Sequence, residues 1–114
     1  MLLNYDAMAW IFLIVAGCFE IGWPLGMKLS QSQPEHKFPW ILFSIASMAL
    51  SGYFLWLAQK TIPMGTAYAI WTGIGAAGAF IVGIALFRDP AGFFRIASVT
   101  LIILGIIGLK LSSH

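Results

Sequence analysis

From Ala7 to Met27 the chain is apolar for long enough to cross a bilayer, and a single charge, Glu20, stands near the middle of that run. A membrane span takes about 20 such residues. In lipid every backbone polar group must be satisfied within the protein, so a run this long and continuous is a helix and not a barrel strand. A charge at mid-membrane costs roughly 2.5–3.5 kcal/mol or more, which makes Glu20 a functional-site candidate by default. A carboxylate there can take up a proton or pair with a cation. One site that accepts both can exchange them.

Three further apolar runs use nearly all the remaining length. The expected spans are about 7–28, 40–59, 64–87 and 91–109, a single four-helix transmembrane domain over residues 1–114. Of the residues 61% are hydrophobic and 9% charged, where a soluble domain carries about a quarter charged. The fold class is an all-α integral membrane protein. A net charge of +2 is too small to suggest nucleic acid as a partner; membrane lipid surrounds such a chain instead. Cys18 lies inside the first span and says nothing of redox compartment. Val15-Ala16-Gly17-Cys18 resembles a lipoprotein cleavage box, but no Lys or Arg precedes it and the apolar run continues past Cys18. No basic region of a signal peptide stands at the start.

The first loop is expected at about Leu29–Pro39, with Pro34 and Pro39 as breakers. The second, around Lys60–Pro63, is very short, and the third holds Arg88, Asp89 and Pro90. Short loops imply antiparallel neighbours. Lys28, Lys37, Arg88 and Arg95 fall on one side; Lys60, Lys110 and the terminal amine fall on the other. That near balance is a poor orientation signal. It leaves open both a narrow decision and insertion in both directions, with antiparallel pairing.

On helix 1, Gly17, Glu20, Trp23, Pro24 and Met27 share a face. Pro24 has no N–H, so the Glu20 carbonyl loses its helical partner and the helix should bend or loosen there. This is either an ordinary transmembrane kink or part of the site. Ser44, Ser47 and Ser51 form a hydroxyl stripe on helix 2. Helix contact is the ordinary role of such serines, while Ser51, at the depth of Glu20, can also bond the carboxylate or a substrate. Tyr68 and Trp71 stand one turn apart on helix 3. They are either interfacial anchors or, with Glu20 and Trp23, a box for a cation. Gly73 and Gly75 permit close packing or make a flexible point. Helix 4 is free of charge from Ile96 to Leu109, and Ser98, Gly105 and Gly108 give it a small-residue seam suited to packing on another helix, in this chain or in a partner subunit.

No metal set exists, because His36 and His114 are far apart. A Gly-rich phosphate loop and a Ser-His-Asp nucleophile are also missing. No cofactor is expected, and the chain does not read as an enzyme.

The stretch Pro63-Met-Gly-Thr-Ala-Tyr-Ala-Ile-Trp-Thr-Gly-Ile-Gly75 closely resembles the helix 3 signature of the small multidrug resistance transporters. Glu20 with Lys28 eight residues on, the four spans, and Gly105-Ile-Ile-Gly-Leu-Lys110 match the same family. Trp23, three residues after Glu20, resembles the guanidinium-exporter branch. The resemblance implies an antiparallel, dual-topology homodimer in the cell inner membrane that exchanges protons for a small organic cation. It implies Glu20 of both subunits as the shared proton and substrate site. Trp23, Ser51, Tyr68 and Trp71 would line the pocket, and Gly17 would let the two glutamates approach. Gly73 and Gly75 would match the helix 3 kink, and helix 4 would form the dimer contact. Gly22-Trp23-Pro24 departs from the branch pattern of an aliphatic residue, Trp and Ala, and the first loop is slightly longer. Because Pro24 changes helix 1 beside the site, the alternative substrates are quaternary ammonium or other hydrophobic cations.

The expected function is proton-coupled antiport of small guanidinium-type cations. A guanidinium can bond a carboxylate through two parallel N–H groups, and proton and cation would compete for Glu20. Two other classes remain open from the residues: a cation channel, which would pass current without a proton gradient, and a scaffold that only binds partner helices.

Overall fold

The computed structural model describes residues 2–112. Four helices account for most of them: α1 (Leu2–Ser32), α2 (Lys37–Ala58), α3 (Met64–Phe87) and α4 (Phe93–Ser112), with a short 3-10 turn at Pro34–His36 between the first two. Even α4, the shortest at 20 residues, reaches about 30 Å at 1.5 Å per residue, the thickness of the hydrocarbon core. All four are long and apolar enough to cross a membrane.

The helices differ from the expected spans at their ends. The first runs past both edges of 7–28, and the first loop is much shorter than Leu29–Pro39. Proline does not break the chain at either place expected of it. Pro34 opens the 3-10 turn, and Pro39 sits in the first turn of α2. There a missing N–H costs nothing, because the first-turn N–H groups have no intrahelical acceptor. The turn is tied by His36 N–H donating to the Gln33 carbonyl at 2.9 Å and by Trp40 Nε1 donating to Gln33 Oε1 at 3.1 Å. Helix α3 ends where Arg88 enters the left-handed region, with φ 56°.

The order is up and down, but the helices do not close into a bundle. The Cα atoms span 50 × 34 × 18 Å, a slab about two helices thick, since packed axes lie about 8–10 Å apart. α1 is central and packs on both α2 and α3; the backbone of α4 packs beside α3 alone, and its Lys110 reaches Trp10 of α1. On one flank of α1, Gly22 and Gly26 meet the serine stripe of α2. A Cβ on Gly22 would stand 2.8 Å from Ser47 Oγ, and one on Gly26 would collide with Ser44 Oγ and lie 2.9 Å from the Trp40 carbonyl. On the other flank, Gly17 abuts Ile74 of α3, and Gly78 of α3 abuts Ile21. Near one end of the slab, Leu13, Ala58, Ile62, Ala67 and Ile70 form a small buried core. α4 contributes no buried residue.

Basic residues near the helix ends lie over aromatic rings: Lys60 over Trp56 at 4.6 Å and Lys110 over Trp10 at 4.5 Å. Long cationic side chains with apolar stems and aromatic partners suit the membrane interface.

Candidate functional site

Glu20 is half-buried where α1 meets α3. Its neighbour there is Gly75: a Cβ at that position would stand 2.5 Å from Glu20 Cγ. The glycine leaves the room that the glutamate side chain occupies. One turn along α1, the Trp23 indole donates to Glu20 Oε1 at 2.9 Å. The spacing of three residues puts donor and acceptor on one helix face, and the bond sets the orientation of the carboxylate.

Ser51 enters from α2 and is 1% exposed. Its hydroxyl donates to the Ala16 carbonyl of α1 at 2.8 Å and accepts from the Trp71 indole of α3 at 2.8 Å. It also borders the Glu20 carboxylate. A hydroxyl has one proton and two lone pairs, so Ser51 can hold three helices together but can donate to only one acceptor at a time. Tyr68 stacks obliquely on Trp71, with ring centroids 5.4 Å apart, and is 56% exposed.

Glu20, Trp23, Ser51 and Trp71 are therefore brought into one cluster, with Tyr68 at its edge. Gly17 packs on Ile74, which makes it part of the α1–α3 contact in this protomer. Pro24 is accommodated within a continuous α1 and lines a cleft between α1 and α3 on the side toward Lys28. Helix α3 runs unbroken through Gly73 and Gly75. In this conformation these glycines provide room: Gly75 for Glu20, and Gly73 for Ile102 and Ile106 of α4. Ser98, Gly105 and Gly108 lie on exposed parts of α4, and nothing stands within 4 Å of a Cβ added at either glycine.

Sequence reasoning missed Gly22 and Gly26. Their four-residue spacing opposite a serine stripe was the available signal. It also missed the backing of Trp23: Ser44 Oγ donates to the Trp23 carbonyl at 2.8 Å, next to the position where Pro24 supplies no N–H. Among the described residues no group of three His, Cys, Asp or Glu is placed to hold a metal ion.

A carboxylate held by one indole and bordered by a hydroxyl that carries a second indole can bind a proton or a compact organic cation. The Small Multidrug Resistance protein family profile matches residues 8–102 of this chain. The Guanidinium exporters of Escherichia coli (strain K12) and Salmonella typhimurium (strain LT2) are 46% and 47% identical to it over 110 residues, which is 94% of this chain and 100% of each relative. The Guanidinium exporter of Yersinia pestis is 47% identical over 109 residues, 93% of this chain and 100% of that protein. With a match over most of its length and relatives this similar end to end, the chain belongs to the small multidrug resistance family.

Proposed function

We propose that this protein is a proton-coupled antiporter that exports small guanidinium-type cations across the inner membrane. It works as an antiparallel, dual-topology homodimer, with membrane-embedded stretches at about residues 7–28, 40–59, 64–87 and 91–109. The observation that carries the reading is the Glu20 carboxylate held by the Trp23 indole at 2.9 Å and bordered by Ser51, whose hydroxyl accepts from the Trp71 indole, in a chain 46–47% identical to Guanidinium exporters.

The chemistry follows from competition. A guanidinium presents two parallel N–H groups that match the two oxygens of a carboxylate. Its flat faces suit the indoles of Trp23 and Trp71 and the ring of Tyr68, an attraction of roughly 0.5–2 kcal/mol per ring. A proton on Glu20 removes the charge that holds the cation, so each displaces the other. The slab is open on one side, and α4 carries no fully buried residue. A second copy packed through α4, with Ser98, Gly105 and Gly108 at the contact, would enclose the site and bring in the second Glu20.

The test is the current evoked by guanidinium in proteoliposomes on a solid support. A saturable current that weakens as pH falls, and that Glu20→Gln abolishes, is the expected result. Normal pH-dependent exchange by Glu20→Gln sinks the mechanism. Silence with guanidinium but current with a phenyl-bearing quaternary ammonium ion moves the protein to hydrophobic-cation efflux, with Pro24 as the residue to exchange next.

A further inference from the structure

Where α1 and α3 separate near their C-terminal ends, they leave a cleft of about 250 Å³ lined by Pro24, Lys28, Val82, Gly83, Phe87 and Asp89, among others. Its lining includes Ile21, the residue after Glu20, and Pro24, one turn beyond it. Lys28 lies two turns beyond, about 12 Å along the axis at 1.5 Å per residue. The cleft therefore leads from the neighbourhood of the buried carboxylate toward the end of the slab that carries the first and third loops.

We propose that this cleft is a vestibule site for a monovalent guanidinium-type cation, which Asp89 attracts and Lys28 opposes. The inference rests on the transport reading above and adds a second station to it.

The placement of Asp89 is built into the fold. Arg88 adopts φ 56°, a left-handed conformation that non-glycine residues rarely take. The resulting reversal sends the Asp89 N–H back to the Gly83 carbonyl at 3.1 Å. It also lays the Asp89 carboxylate against Gly83 so closely that a Cβ there would collide with Oδ2. The carboxylate thus sits beside the C-terminal end of α3, where the helix already carries a partial negative charge of roughly half a unit. An anion gains nothing from that end of a helix, whereas a cation entering the cleft is attracted by both charges.

Among the described residues no cation is ion-paired with Asp89. Arg95 Nε donates to the Pro90 carbonyl at 2.9 Å, and its guanidinium lies over Phe80 at 5.3 Å. Lys28 lines the same cleft as Asp89 but forms no ion pair with it. A metal ion would need more ligands than this one carboxylate, and no group of three is available among the described residues. The apolar walls of Pro24, Val82 and Phe87 suit a guanidinium, which is planar, stacks on aromatic faces and holds water more weakly than an ammonium. A site of this kind raises the local cation concentration beside Glu20. It acts on half-saturation and leaves the maximal rate alone.

The test compares guanidinium-evoked currents of the full-length protein and its variants at about 20 mM and about 300 mM salt, which bracket strong and weak screening. At low salt Asp89→Asn should raise the half-saturating guanidinium concentration about fivefold, the effect of one unit charge at about 4 Å in water. Maximal current should be unchanged. Asp89→Glu should stay near wild type. Gly83→Ala, which pushes the carboxylate aside, should resemble Asp89→Asn, and Lys28→Gln should shift half-saturation the opposite way. All of these differences should shrink at high salt. A structural role for Asp89 would lower maximal current without opposite shifts from the two charges, and that result overturns the proposal, as does an unchanged half-saturation. Absence of guanidinium current in the wild type would defeat the transport reading itself. The cleft is then read directly, by titrating Glu20→Gln with guanidinium and following the amide NMR signals of Gly83 and Asp89. Saturable shifts lost on adding Asp89→Asn support the vestibule, and their absence refutes it.

Discussion

The two flanks of α1 are built from the same kind of residue and do different work. Toward α2, Gly22 and Gly26 receive Ser47 and Ser44, and the Ser44 hydroxyl bonds the Trp23 carbonyl. Toward α3, Gly17 receives Ile74, while Gly75 and Gly78 receive Glu20 and Ile21. What matters is the atom that each glycine faces. Gly26 lies against a backbone carbonyl, that of Trp40, as well as a serine; Gly75 lies against the flexible stem of the one charged side chain in the span. The first contact cannot yield without moving a helix, while the second can yield by moving a carboxylate. Small residues on the α2 side should therefore govern stability, and those on the α3 side should govern transport.

Gly26→Ala is the largest expected effect. The added methyl meets the Trp40 carbonyl and Ser44 Oγ together. Overpacking of this kind costs about 1–3 kcal/mol. Thermal unfolding in detergent should show it as a clear loss of stability, while the protein that remains folded keeps wild-type half-saturation for guanidinium. An unchanged melting transition would mean that the α1–α2 contact is looser than the geometry indicates.

Gly75→Ala comes next and should do the reverse. The methyl displaces Glu20 Cγ, which has rotamers to spare, so the fold survives but the carboxylate leaves its place beside Trp23 and Ser51. A loss of about tenfold in guanidinium transport at low concentration corresponds to about 1.4 kcal/mol of lost interaction. Flux measured at well below half-saturation, beside the unfolding curve, separates the two variants. Loss of stability without loss of transport in Gly75→Ala would erase the distinction between the flanks.

How much of this was legible in the sequence depends on which physical demand set each feature. The four helices were legible because lipid tolerates no other way of satisfying the backbone over such apolar lengths. Glu20 was legible because an uncompensated charge in such a run is costly. The helix ends were less so. Pro34 and Pro39 read as breakers of a long loop, yet a proline is harmless in a first turn, and only the three-dimensional path shows that both occupy such turns. The partner of each hydroxyl was also hidden. A stripe of Ser44, Ser47 and Ser51 states that one face is polar, but the acceptor depends on which α1 carbonyl lies opposite. Asp89 read as a loop residue because its place in a cleft follows from the left-handed turn at Arg88, and Arg is a residue type that gives no warning of one. Gly73 and Gly75 suggested either packing or flexibility, and in this conformation their neighbours are Ile106 and Glu20.

The smallest effect divides the serine stripe itself. Ser44 and Ser51 lie two turns apart on α2, and each donates to an α1 carbonyl at 2.8 Å. Ser51 alone also accepts from Trp71 and borders Glu20. Ser44→Ala removes one interhelical bond of about 0.6 kcal/mol, a small cost in stability. It should leave guanidinium half-saturation where it was, because the Trp23 indole bond to Glu20 does not pass through Ser44. Ser51→Ala removes a similar bond to the backbone and in addition leaves the Trp71 indole without its acceptor. Half-saturation should then rise several-fold, and the unfolding transition should fall further than for Ser44→Ala, because a buried donor left without an acceptor costs about 1–3 kcal/mol. If both alanine variants shift stability alone, the hydroxyls belong wholly to helix packing, and the site reduces to Glu20 and its aromatic neighbours.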